Sequence, residues 1–394
     1  MSYNTARSTV IVIEPQCTGF EHVEFNAALL ATLQHAFNSP SIEFWSERTH
    51  AQMVAGRLAQ YPGSPVSCLE LRVDWNTVQW CRLTQELALC EKALAHARSA
   101  GANLIVFSSV GSVGIIALKR CLRHAPKEIT VLAFVHSVLT KLVMNPRRVW
   151  NYPLSIRPAL RRPSPSQLKL IALSATGASA TREHCPGAAI HQLDHPYLFT
   201  SRTGAGSLPD EDRRRVRIGL LGGIRTRIQD ICSLVSAVRA RTDNVDFQIV
   251  GHVASNVSGR RDLIRLFPRV PETPTDYAEY RSRLSALDYV LLLPDESQHR
   301  FAASCTLLDA FDHCKPGLFL TSPLLEEYRS KVGDFGVFYH GTDQLAGAIA
   351  DIAARFPADQ YRAQVRAILN GRGIFDPARV AADLTRIIPN ETCL

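Results

Sequence analysis

The stretch YVLLLPDESQHRFAASCTLLDAFDHCKPGLFLTS, residues 289–322, contains a strand, a connection, a helix and a second strand. YVLLLP is an apolar run of strand length. Leu307, Leu308 and Phe311 then recur at helical spacing, and Lys315-Pro316 ends the helix, because proline cannot continue one. PGLFLTS is a second apolar strand. Strand, helix and strand in that order imply two parallel strands joined by a crossover helix. One polar residue stands out. Asp309 sits among the apolar positions of a helix that begins just after Arg300 and Ser304.

The same alternation extends in both directions. Downstream lie helical patterns at 343–356 and 377–388. Upstream, RVRIGLLGG (215–223) and VDFQIVG (245–251) are strands, with IQDICSLVSAVRAR and YAEYRSRLSALD as helices. The first half repeats the theme: strands VIVIEP (10–15), SIEFWSE, NLIVFSS (103–109), EITVLAFVHS (128–137) and KLIALSA (169–175), with helices between them. The segment 187–215 is rich in Gly, Pro and charge and reads as a linker. The expected fold is therefore α/β, with two Rossmann-like domains facing a cleft. The expected boundaries are 1–198 and 199–376, and a C-terminal helix at 377–394 crosses back to the first domain.

With 394 residues the chain exceeds one ordinary core, in line with two domains. No apolar run reaches the roughly 18 residues that span a bilayer, and the N-terminus lacks a signal-peptide layout. The ten cysteines form no CxxC pair and no zinc spacing, so buried free thiols in a cytoplasmic protein are expected.

The net charge of +8 is unevenly spread. Residues 1–200 hold 19 Lys+Arg against 12 Asp+Glu, and the remainder 25 against 24. Between Glu128 and Glu183 there is no acid. That window carries Arg147, Arg148, Arg157, Arg161 and Arg162, interleaved with Val149, Trp150, Tyr152, Leu154, Ile156 and Leu160. Basic and aromatic residues together suit an anionic membrane surface or lipid head group. A solvated basic loop is the plain alternative. Nucleic acid is disfavoured as a partner, because the second half is almost neutral.

Ligands in open parallel sheets bind at the carboxyl ends of strands, which selects five places. In LLGGIRTR, Gly222 and Gly223 let backbone N–H groups approach a phosphate, with Arg225 and Arg227 beside a helix start. A tight turn is the competing reading. After YVLLLP, Arg300, Ser304, Cys305 and Thr306 begin the helix, and Asp309 is placed to accept hydrogen bonds from a ribose diol. A buried Asp tying down a neighbouring loop is the alternative. His136 ends the strand VLAFVHS. Gly19, Glu21 and His22 lie in the loop QCTGFEHVEF, where the polar pair also suits a helix cap. Glu272 follows Pro271 in RVPETPTDY.

Taken together, these segments resemble the retaining family 4 type of GT-B glycosyltransferases, over most of the chain. The resemblance lies in CTGFEH, in FVHS, in LLGGIRTR as the Gly-Arg phosphate loop, in LLDAFDHCKPGLFLTS as the signature helix and in GVFYHGTDQLAGAIADI as the closing segment. The family's paired Glu residues correspond here to Phe301 and Asp309, so the first carboxylate is missing and the second is one carbon shorter.

The resemblance implies a transferase that moves a sugar, with retention, from a nucleotide-sugar to a saccharide or a polyprenyl-diphosphate-linked acceptor in bacterial surface-polysaccharide synthesis. His136, Arg225 and Arg300 would be catalytic. Gly222, Gly223, Arg227, Glu272, Ser304, Cys305, Thr306 and Asp309 would bind the donor, and Gly19, Glu21 and His22 the acceptor. Arg147, Arg148, Trp150, Arg161 and Arg162 would meet a membrane or lipid head group, giving a cytoplasmic protein peripheral to the inner face of the cell membrane. Fixed cations and a helix dipole would serve the leaving diphosphate, so neither a metal nor a cofactor is expected. Two other readings stand: a catalytically degenerate GT-B protein that binds a nucleotide or a partner subunit, and a nucleotide-sugar 2-epimerase.

Overall fold

The computed structural model describes residues 9–38, 40–61, 63, 66–135, 137–143, 149–200, 215–224, 227–253, 259–273, 276–293, 301 and 303–388. The chain divides into two compact units. Unit 1 comprises Met1–Leu198, Ser297–Cys305 and Ile374–Leu394, and unit 2 comprises Phe199–Glu296 and Thr306–Gly373.

Unit 1 is built on seven strands: β1 (Thr9–Ile13), β2 (Ser41–Ser46), β3 (Val66–Glu70), β4 (Leu104–Phe107), β5 (Thr130–Phe134), β6 (Leu168–Ala172) and β7 (Ile190–Gln192). They form one parallel sheet in the order β3-β2-β1-β4-β5-β6-β7. The order reverses direction at β1, which has β2 on one side and β4 on the other. Its helices are α1 (Val23–Ala36), α2 (Arg48–Leu58), α3 (Gln79–Ala100), α4 (Ser112–Cys121), α5 (Ile156–Arg161) and α6 (Ala175–His184).

The apolar strand runs arise because both faces of this sheet are covered. Ile11, Ile13, Ile105, Phe107, Val131 and Ala133 enter a core with α3, α4 and α5. The alternate residues Val10, Val12, Leu104, Val106, Leu132 and Phe134 enter a second core with α1. Gly101, in the left-handed region, ends α3.

Unit 2 has a second parallel sheet, β12-β11-β10-β8-β9, from β8 (Val216–Ile224), β9 (Val245–Val253), β10 (Tyr289–Leu292), β11 (Gly317–Leu320) and β12 (Gly336–Tyr339). Its helices are α7 (Ile228–Arg239), α8 (Arg260–Leu266), α9 (Tyr277–Ser285), α10 (Cys305–Asp312), α11 (Pro323–Val332), α12 (Thr342–Ala354) and α13 (Ala358–Gly371). The final helix α14 (Pro377–Ile387) belongs to unit 1, where Val380 and Leu384 share a core with α1.

In the basic window, the described residues 137–143 and 149–162 are not the solvated loop that was the plain alternative. They form 3-10 turns at Ser137–Val143 and Val149–Leu154 and then α5. Leu154, Ile156 and Leu160, which the sequence interleaves with arginines, are buried in the unit 1 core. Lys119 is buried here too, and donates to the carbonyls of Ala159, Leu160 and Arg162 at 2.8, 3.1 and 2.5 Å. These bonds satisfy the open C-terminal end of α5. Cys68 and Cys81 are exposed thiols, not buried ones. Among the described residues, no helix is long and apolar enough to cross a membrane.

Candidate functional site

In unit 2, the glycine pair lies near the end of β8, within the strand expected over 215–223. Gly222 pairs with Gly251 of β9 and Gly223 with His252. Gly222 has φ 76°, and a Cβ there would lie 2.9 Å from Thr306 Oγ1. Gly251 has φ 144°, and a Cβ there would lie 2.1 Å from the Gly222 carbonyl oxygen. No side chain fits at either position, so two strand ends and the first turn of α10 touch through backbone and Thr306.

Asp309 lies one turn into α10, half-buried, and accepts a hydrogen bond from the Tyr280 hydroxyl at 2.8 Å. The alternative reading, an acid holding a neighbouring loop, describes a different residue. Asp312 is fully buried and accepts from Thr200 N at 2.8 Å, Thr200 Oγ1 at 3.0 Å and Arg281 Nη1 at 2.8 Å. Arg281 Nη2 also reaches Thr200 Oγ1 at 2.8 Å. The sequence reading passed over Asp312, although a second acid on the same helix was a visible signal.

Arg227 occupies the left-handed region at φ 57° ahead of α7, and its Nε donates to Asp230 at 2.7 Å. Glu272 is exposed and accepts from Arg260 at 2.6 Å. Arg225 lies outside the described residues, as do His136, Arg300, Arg147 and Arg148.

Ser304 and Cys305 belong to unit 1. Cys305 was expected to face the donor, but its Sγ lies 3.2 Å from His195 Nε2. His195 Nδ1 lies 2.8 Å from the Pro196 carbonyl, so Nδ1 carries the proton and Nε2 accepts from the thiol. Burial pushes His195 down to about 4, which keeps the ring neutral. Phe301 is buried in the unit 1 core, and its carbonyl accepts from Ser174 Oγ at 3.3 Å. A carboxylate would not survive in that apolar setting. Phe301 thus anchors the segment in unit 1.

In unit 1, the loop after β1 hangs from Glu14, which the sequence reading took only as a strand end. Glu14 is fully buried. Its Oε1 accepts from Gln16 N at 2.8 Å, from Cys17 N at 3.1 Å and from Ser109 Oγ. Its Oε2 accepts from Asn26 Nδ2 at 3.1 Å and Ser108 Oγ at 2.9 Å. Burial alone would raise its carboxyl. The electrostatic influence of His22 and the donors outweigh burial and hold it below the usual range.

The network continues outward. Asn26 Nδ2 lies 2.8 Å from His50 Nε2, and His50 Nδ1 is 2.8 Å from the Gly19 carbonyl. Gly19 N donates to Glu47 at 3.2 Å. Gly19 has φ 55° and nothing within 4 Å of its missing Cβ, so backbone conformation rather than space requires glycine. His22 is also left-handed, at φ 57°, directly ahead of α1, with Glu21 before it.

The sequence showed no metal-binding spacing, yet the fold gathers Glu14, Cys17 and His22 with ligand atoms within 4.8 Å of one another. Glu14 already accepts hydrogen bonds at both oxygens, and burial pushes the Cys17 thiol up.

Trp150 is 65% exposed and Tyr152 46%. Arg161 and Arg162 spend an Nη2 group each on backbone carbonyls, of His184 and Pro153, at 3.1 Å.

Comparison of the sequence with protein-family models and with curated proteins gives no match. Solved structures do share the fold. The sucrose-phosphate synthase of Thermosynechococcus elongatus is 13% identical, with 97% of this chain and 98% of that one covered and a TM-score of 0.67. HepE of Anabaena, solved with UDP and glucose, is 13% identical, with 97% and 99% covered and a TM-score of 0.66. WaaG, a glycosyltransferase involved in lipopolysaccharide biosynthesis, is 12% identical, with 97% and 99% covered and a TM-score of 0.63. The chain has the GT-B fold of these glycosyltransferases.

Proposed function

We propose that the protein is a glycosyltransferase that moves a sugar from a nucleotide-diphosphate donor held by unit 2 to a saccharide or lipid-linked saccharide held by unit 1. The observation that carries this reading is the close contact of Gly222, Gly251 and Thr306 at the start of α10, with Asp309 one turn further on. In the transfer, the bond between the anomeric carbon and the diphosphate breaks and a bond to an acceptor oxygen forms. The departing diphosphate takes the acceptor's proton from the same face, and the configuration is retained.

The protein's part is electrostatic. Charge grows on the leaving oxygens, and α10 N–H groups with Arg225, Arg227 or Arg300 oppose it without reorganising. Asp309 takes the ribose hydroxyls. Calorimetric titration with UDP, GDP and their sugar conjugates tests the assignment. One nucleotide is expected to bind, at least about tenfold more weakly to Asp309→Ala and Arg225→Ala. A folded protein that binds none of them would overturn it.

A second reading has its own observation. Phe301, where the family has a carboxylate, is buried in unit 1, which favours a nucleotide-binding partner subunit without turnover. Release of UDP or GDP from a sugar conjugate in the presence of acceptor separates the two.

The acceptor side fits a membrane face and a role in bacterial surface-polysaccharide synthesis. The exposed Trp150 and Tyr152 beside a basic window support this placement. In flotation assays the protein is expected to follow vesicles containing phosphatidylglycerol over neutral ones, and Trp150→Ala with Arg147→Gln and Arg148→Gln to lose that preference. Equal recovery on both vesicle types would reject the membrane role.

A further inference from the structure

The loop after β1 carries Cys17 and His22 and closes back on Glu14 at the end of the strand. A carboxylate oxygen of Glu14, the Cys17 sulfur and a ring nitrogen of His22 all lie within 4.8 Å of one another. The chain turns between the last two, where Glu21 N donates to the Thr18 carbonyl at 3.3 Å and the backbone is left-handed at Gly19 and His22.

The loop is also held from outside the trio. Gly19 is fixed on both sides, with its carbonyl 2.8 Å from His50 Nδ1 and its N–H donating to Glu47 at 3.2 Å. Trp75 Nε1 donates to the Pro15 carbonyl, and Cys17 N donates to Glu14 at 3.1 Å. Partners that fix the ligand-bearing chain in this way orient a metal site before the ion arrives.

Charge and ligand chemistry decide what the trio would take. Glu14 is wholly buried, and the five groups of Gln16, Cys17, Asn26, Ser108 and Ser109 that donate to it are neutral. A buried carboxylate is ordinarily matched by a cation. A divalent ion held by this carboxylate, the Cys17 thiolate and a neutral His22 imidazole makes a centre with no net charge. The Cys17 thiol itself donates to Glu14. An ion in place of that proton joins sulfur to oxygen and leaves the other donors where they are. Thiolate and imidazole are ligands of zinc, whereas magnesium and calcium take oxygen. Tetrahedral zinc holds its ligand atoms roughly 3.5 Å apart, so the trio tightens by about 1 Å at most.

We propose that Glu14, Cys17 and His22 form a zinc site at the carboxyl end of β1. Binding forms a zinc–sulfur bond and releases the thiol proton to the buffer. Three protein ligands leave the fourth position to water. His22, expected at the acceptor, is thereby a metal ligand, and the site stands apart from the nucleotide assigned to unit 2.

The test is calorimetric titration of the full chain, freed of metal by a chelator, with Zn2+, Mg2+ and Ca2+ in buffers of different ionisation heat. Absorption spectra with Co2+ as a zinc substitute accompany it. Cys68→Ser and Cys81→Ser are placed in the background, so that exposed thiols contribute nothing. One Zn2+ per chain is expected to bind with release of a proton, and Mg2+ and Ca2+ are expected not to bind. Co2+ is expected to show the near-ultraviolet charge-transfer band of a cobalt–thiolate bond. Cys17→Ser is expected to remove that band and, like His22→Gln and Glu14→Gln, to weaken Zn2+ at least about tenfold, with circular dichroism unchanged. Absence of Zn2+ binding by the folded protein overturns the site. So does Zn2+ binding that keeps its strength in both Cys17→Ser and His22→Gln, which marks an adventitious ion only. The Co2+ spectrum of the chain with Cys17 intact needs no variant at the site to fold, and binding without the thiolate band overturns the proposal equally.

Discussion

Replacing Asp312 by alanine is expected to cost about 3–5 kcal/mol of unit 2 stability, while the same change at Asp309, three residues earlier, costs under about 1 kcal/mol. Asp312 is wholly enclosed, and its carboxylate is the acceptor for Arg281, the Thr200 amide and the Thr200 hydroxyl. Removing it takes the acceptor from a largely buried guanidinium and from the Thr200 N–H at once, and that penalty exceeds what the pair gains when intact. Asp309 is half-buried and accepts from a tyrosine hydroxyl that can turn to solvent.

Function is expected to divide the other way. Asp309→Ala keeps the fold and loses nucleotide affinity. Asp312→Ala loses protection of α9 and α10 amides in hydrogen exchange, and binding falls only through the unfolded fraction. Local exchange is the right readout, because a two-unit chain has no single unfolding free energy. A double replacement, Asp312→Leu with Arg281→Met, should recover most of the stability, since two matched apolar side chains replace a buried ion pair at little cost. If Asp309→Ala were the destabilising change and Asp312→Ala the silent one, the division of roles in α10 would be wrong.

The two acids also show what a sequence can reveal about such a site. The fold class was readable because strands buried on both faces appear as runs such as VIVI, LIVF and VLAF, whichever core each residue enters. Edge strands gave no such signal. VSCLE at β3 is mostly exposed and carries no apolar run, so it is not among the expected strands. The glycine pair was readable both as the end of the strand at 215–223 and as a close-approach point, whereas its contact with Gly251 depends on pairing with β9, which local sequence does not encode.

Asp309 and Asp312 occupy neighbouring positions on one helix face. Their roles diverge because Thr200 meets one of them, and that contact joins residues more than a hundred positions apart. Cys305 is similar. Its position at a helix start suggested a ligand contact, and only the fold brings His195 to it. Glu14 was partly legible: an acid closing an apolar strand needs donors, and the Ser108-Ser109 pair ends the adjacent strand.

Glu14 is expected to be the least replaceable side chain of unit 1. Five N–H and O–H donors converge on its two oxygens. Glu14→Leu removes every acceptor at once. At about 1–3 kcal/mol for each buried donor left unpaired, the loss approaches the whole stability of an ordinary domain, and unit 1 is expected not to fold. Glu14→Gln is expected to survive. Its carbonyl keeps one set of partners, Ser108 can turn to accept from the new amide, and Asn26 can rotate to present Oδ1, which has no partner in the present arrangement.

The same cluster sets an acid limit. A carboxylate whose folded value lies below the ordinary 4.5 stabilises the fold above that pH, and the contribution is lost as pH falls through the folded value. His50 and His195 act earlier. Burial lowers both, His195 to about 4, so below 6.5 the unfolded chain takes up protons that the folded chain refuses. Stability of unit 1 should therefore fall in two stages, from about pH 6.5 to 4 through the histidines and further below 4.5 through Glu14. Hydrogen exchange of β1 and β4 amides at stepped pH measures this directly. His195→Gln should flatten the upper stage, and Glu14→Gln the lower one. Protection that stays level from pH 7 to 4 in the wild-type protein would mean that these groups are not held in the protonation states the geometry requires.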